Sequence, residues 1–121
     1  MRPNELHPRS LIVPRSPAGL DAIERWDIEP DSELDVRALR REEVEHAFAS
    51  GLFDSISERL GVRIDYFEHE RIDPAQVKLA LSIFEQWAAH DDGSHAEFYR
   101  DARTLLSRAL ASGMPVYVLV L

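Results

Sequence analysis

The chain has 121 residues, 45% of them hydrophobic and 30% charged, with no cysteine and a formal net charge of −8. That length supports one domain with a core of its own, spanning residues 1–121, and the lack of cysteine excludes disulfides, thiolate-based zinc sites and cysteine nucleophiles. The charge is uneven: residues 27–73 hold fourteen acids against six arginines, while the segments on either side nearly balance, which predicts repulsion of nucleic acid and anionic membranes and attraction of basic proteins.

Residues 1–19 are punctuated by Pro3, Pro8, Pro14 and Pro17 and read as a loosely ordered arm. Only Leu11–Val13 could form a strand, and Pro14 places it at a sheet edge. Ser16-Pro17 is the cap and first residue of a short helix to Arg25, which would bury Leu20 and Ile23; Gly19 weakens it. From Trp26 to Asp35, acids fall at every second position: Asp27, Glu29, Asp31, Glu33 and Asp35. Pro30 opposes a regular central strand there. A calcium loop starting at Asp27 would need glycine at Ser32 and glutamate at Ala38, so the stretch reads as a solvated acidic loop. Val36–Ser50 reads as a helix with Val36, Leu39, Val44, Ala47 and Phe48 inward.

Leu52, Phe53, Ile56 and Leu60 share one face of a short helix that Gly61 closes. Val62, Ile64 and Tyr66 then alternate with Arg63 and Asp65, the pattern of a half-buried strand over Val62–Phe67, with Glu68–Arg71 as a charged turn. Asp73-Pro74 starts a helix running to His90, with Val77, Ala80, Leu81, Phe84, Trp87 and Ala88 inward and Leu79 and Ile83 widening the face. After the polar loop His90–His95, a helix over Ala96–Ser112 buries Phe98, Tyr99, Ala102, Leu105, Leu106, Ala109 and Leu110, and Gly113 and Pro115 end it. Val116–Leu121 is continuously apolar, hence a buried strand, expected to pair with Val62–Phe67 and with Leu11–Val13. The fold class is α+β: four or five helices on a two- to three-stranded sheet that includes this last strand.

No catalytic motif is present: there is no G-x-S-x-G, no P-loop and no G-x-G-x-x-G. No two histidines have the i,i+4 spacing of a helical metal site. No enzyme activity, cofactor, metal ligand or catalytic residue is therefore expected. Glu42 and His46 are spaced to pair on one helix. A loop site of His90 and His95 with Asp91 or Asp92 is the competing reading, and with it a small metal-dependent hydrolase using His69 or His90/His95. Aromatics beside acids are typical of surfaces that anchor a protein partner. Trp26 next to Asp27, Glu29 and Asp31, and Tyr66-Phe67 next to Glu68, His69 and Glu70, are the expected partner-binding residues. Neighbouring strand residues point to opposite faces, so Tyr66 and Phe67 cannot both enter the core.

Gly51-Leu52-Phe53, Gly61, Ile64-Asp65-Tyr66-Phe67-Glu68, Ile72 and Pro74, with the closing Gly113-x-Pro115-Val116, resemble small bacterial immunity proteins found beside polymorphic or contact-dependent toxins. The resemblance implies a class alone: a small acidic α+β protein that binds and neutralises a cognate, basic toxin. It assigns no residue. The alternative is a regulatory or interaction domain acting as a homodimer through the final strand. No apolar run reaches the length of a membrane span or a signal peptide, so a cytoplasmic location without membrane or nucleic-acid partners is expected.

Overall fold

Strands β1 (Arg9–Pro14), β2 (Leu34–Ala38), β3 (Glu68–Ile72) and β4 (Val116–Val120) form one antiparallel sheet in the order β2-β1-β4-β3. The structure, a computed structural model, describes residues 8–28, 32–66 and 68–121. Among the described residues the sheet has four strands rather than two or three, and five α-helices flank it: α1 (Pro17–Glu24), α2 (Arg41–Ala49), α3 (Leu52–Leu60), α4 (Val77–His90) and α5 (Ala96–Ser112). None of these helices is long and apolar enough to cross a membrane.

β4 is buried at every position because it is paired on both sides and covered on both faces. Its registers run from Arg9↔Val120 to Ile12↔Tyr117 with β1 and from Glu68↔Val120 to Ile72↔Val116 with β3. It therefore has no open edge to offer a second copy. Alternation along the strands sends Leu11, Val13, Val116, Val118, Val120 and Ile72 into a core of twenty-four buried residues shared with α2, α3, α4 and α5. Among the described residues the opposite face packs against α1 and the segment after it. Ile12, Tyr117 and Leu119 pack there with Ile23 and Ile28 in a core of five.

Several elements depart from the sequence reading. Val62–Asp65 is irregular despite its alternation, because the amides of Val62 and Ile64 donate to the Ser57 carbonyl and hydroxyl (3.1 and 3.0 Å) and are withdrawn from any ladder. The strand forms one step later, over the residues read as a turn. Residues 34–38, read as loop and helix start, form β2, leaving Val36 on the exposed side of an edge strand. Leu110 is exposed rather than buried, and Leu20 is half-buried. β1 is an interior strand. Pro14 is tolerated because the ladder with β4 stops at Ile12, so the missing proline N–H has no partner to lose there.

Two contacts fix the layers. Arg37 of β2 makes a bidentate ion pair with Glu43 of α2 (2.7 and 2.9 Å), and its Nε donates to Asp101 of α5 at 2.9 Å. The Glu43 side chain is only 5% exposed, and its Oε1 also accepts from the Arg40 amide at 2.8 Å, which starts α2. On the other face, α1 lies against the chain entering β2: a Cβ on Gly19 would sit 2.0 Å from the Glu33 carbonyl oxygen. Gly19 is thus a point of backbone contact, and Ser16 caps the helix by accepting from the Gly19 amide.

Candidate functional site

The end of α1 sets the geometry of the partner-binding residues expected from the sequence. The Trp26 amide donates to Ile23 O at 3.1 Å and the Asp27 amide to Ala22 O at 2.9 Å. These two bonds define a Schellman motif, whose left-handed position is normally glycine. α3 and α5 follow that rule with Gly61 and Gly113, at φ 70° and 68°. α1 does not: Trp26 holds the position at φ 52°, the one non-glycine with positive φ among the described residues. Left-handed backbone costs a side-chain-bearing residue about 1–2 kcal/mol. Burial does not compensate, since Trp26 remains 43% exposed.

The Trp26 ring meets His69 of β3 edge-on, with centroids 5.2 Å apart. Trp26, at the head of the acidic stretch, therefore meets the 66–71 segment. Among the described residues β3 pairs only with β4, so its other edge is open. Glu68 is exposed and Glu70 half-buried; their registers with Val120 and Val118 place them on the helical side, while His69 and Arg71 lie on the α1 side. Arg71 bridges Glu24 of α1 and Asp73, tying α1 to this edge strand. Burial and the nearby Glu24 push the Tyr117 hydroxyl beneath it up to about 12. Tyr66 is 45% exposed and stacks on Phe48 of α2 at 4.4 Å, across the sheet from Trp26. Asp27 is exposed beside Trp26. Glu29, Asp31 and Phe67 lie outside the described residues. Trp26 and Tyr66 therefore lie on opposite sides of the β3 edge.

A second polar group joins residues that spacing along the chain does not connect. His46, in the last turn of α2, does not pair with Glu42; its ring stacks on His95 with centroids 3.7 Å apart and planes 15° from parallel, and its Nε2 lies 2.6 Å from the Tyr99 hydroxyl. His95 Nδ1 is 3.2 Å from Asp91 Oδ1, while Asp91 Oδ2 accepts the amides of Gly93 (2.9 Å) and His95 (3.1 Å). These residues line a cleft of about 440 Å³ between α2 and the α4–α5 loop, with Ser50 and Trp87 on its wall. Burial, then the His95 charge, lowers the His46 pKa against the pull of Asp91 and Asp92. Burial alone would raise the Asp91 carboxyl, but its bonds from His95 and Gly93 hold it below the usual range. Burial and the Asp91 charge push Tyr99 up to about 12. His90 turns away and bonds the Gln86 carbonyl at 2.8 Å. The sequence reading offered a loop site of His90 and His95 with Asp91 or Asp92; the structure keeps His95 and Asp91, and the packing of α2 on α5 brings in His46 in place of His90.

Comparison of the chain with protein-family models, with curated proteins and with solved structures finds no match.

Proposed function

We propose that this chain is a non-enzymatic protein-binding module of the immunity type, which captures and neutralises a basic toxin at the edge formed by the end of α1 and β3. The observation that carries the reading is Trp26. A tryptophan takes a strained backbone position that glycine would fill without cost, and its half-exposed ring lies beside His69. Exposed tryptophan faces attract lysine and arginine side chains. Asp27, Glu68 and Glu70 place carboxylates around the same edge, which favours a cationic partner and fast, steered association. The charged side chains also keep the open strand from indiscriminate pairing.

The test is neutralisation. A basic protein encoded beside this gene is purified and its toxic activity titrated with the native chain, with Trp26→Gly and with Glu68→Arg/Glu70→Arg. Stoichiometric inhibition by the native chain is expected. Trp26→Gly should keep its stability within about 1 kcal/mol, because relieved strain offsets the lost ring contact, yet weaken capture at least about tenfold, as loss of an anchor worth more than about 1.4 kcal/mol would. The double reversal should slow association at low salt. Absence of a basic neighbour that the native chain inhibits, or Trp26→Gly neutralising as well as the native chain, overturns the proposal.

A further inference from the structure

The cleft at the α4–α5 loop is independent of the β3 edge and points to a different ligand. His46, Asp91 and His95 can each offer one donor atom, and those atoms all lie within 4.8 Å of one another. They come from two separate parts of the chain, the end of α2 and the loop before α5. A turn that only needed capping would already be complete without the histidines: Asp91 takes the Gly93 and His95 amides and Asp92 takes the Ser94 amide at 2.9 Å. The Asp91 side chain is nonetheless only 7% exposed, so a carboxylate is held out of water with one oxygen committed to backbone and the other facing imidazole.

We infer that His46, Asp91 and His95 bind one divalent transition-metal ion of the zinc class. Two imidazole nitrogens and one carboxylate oxygen are the donor set of such ions, and calcium or magnesium would require more oxygen. The rings stand nearly parallel, so convergence requires one to turn about its Cβ–Cγ bond. His95 is free to do so: its contact with Asp91 is 3.2 Å, the longest in the cluster, whereas Tyr99 holds His46 at 2.6 Å. Three protein donors leave a fourth position for water, and the cleft has room for it. The bound ion would lock the end of α2 to the start of α5.

The experiment is titration of the tag-free, chelator-treated full chain with zinc and with cobalt(II), followed by calorimetry, cobalt absorption and histidine NMR. One ion per chain is expected, with tetrahedral cobalt bands and ring-resonance shifts confined to His46 and His95. His46→Gln and His95→Gln should each weaken zinc binding at least tenfold. His90→Gln, in the same cleft but bonded to a backbone carbonyl, should leave it unchanged, and calcium should give no heat. If a variant fails to fold, the native chain's NMR shifts still decide. Zinc binding no tighter than that of the His46→Gln/His95→Gln double variant, or shifts centred on His69, His90 or His7, overturns the inference.

Discussion

The two faces of the sheet differ in how deeply they are covered. On the helical face, β1 and β4 meet four helices, and Phe53, Phe84, Phe98 and Tyr99 are completely enclosed. On the other face, Ile12, Tyr117 and Leu119 are covered by one eight-residue helix and by Ile28. At about 25 cal/mol per Å² of apolar area removed from water, the helical face supplies most of the driving force for folding. The thin face contributes less and holds the strained, exposed Trp26. A surplus on one side lets the other carry a residue that local backbone preference opposes.

The largest test of this contrast is Arg37→Ala, which removes the tie from β2 to α2 and α5. It leaves the buried Glu43 carboxylate with the Arg40 amide as its remaining hydrogen-bond donor, so a loss of about 3–5 kcal/mol in urea unfolding is expected. A loss below about 1 kcal/mol would show that the helical face does not depend on this ion pair. The same contact makes stability sensitive to acid. Burial would raise the Glu43 carboxyl, but bonds from Arg37 and the Arg40 amide, with the charges of both arginines, bring it below its usual value; the Arg37 bond lowers Asp101 likewise. With folded values below the unfolded ones, the contribution is complete above the ordinary carboxylate range and is lost as pH falls through it. The urea midpoint should hold from neutrality to about pH 5 and decline below, and the decline should shrink in Arg37→Ala. The smallest effect is expected on the thin face. Gly19→Ala drives a methyl into the Glu33 backbone and should cost about 1–3 kcal/mol. Amide exchange should quicken in α1 and in the 32–34 segment while α4 and α5 stay protected. Equal quickening in α5 would mean that the two faces unfold as one.

Elements with deep burial were legible from the sequence. α5 and β4 fall at their expected positions because a 3.6-residue apolar stripe and an uninterrupted β-branched run report burial directly. The edge strands β2 and β3 were not legible, for a common reason. Among the described residues LDVRA and EHERI each pair with only one neighbour, and their charges sit where a buried strand would place apolar side chains: Asp35 and Arg37 on the helical side of β2, and charged residues on both sides of β3; hydrogen bonding rather than burial defines them, and apolar periodicity cannot register that. The rival strand over Val62–Tyr66 had the better pattern and lost because α3's end consumes its amides. At the candidate surface, the aromatic and acidic residues were legible as types. That Trp26 would meet His69, and that Tyr66 would lie across the sheet, depends on which way β3 turns its side chains. Of the His46–Asp91–His95 group, Asp91 and His95 were legible as a loop pair, whereas His46 was hidden because it sits on α2, far away in sequence.

The central pairing of the sheet joins β1 to β4, Arg9 opposite Val120, with nearly all of the described chain between them. Contacts that distant in sequence form slowly, because loop closure must precede any reward from burial. Until β4 arrives, β1 and β3 have no strand to bridge them, and the β1–β2 pair alone must carry the helical layer. Folding should therefore be all-or-none, without a stable half-molecule, and a chain cut between β3 and β4 would expose apolar strand edges and aggregate rather than persist as a smaller domain.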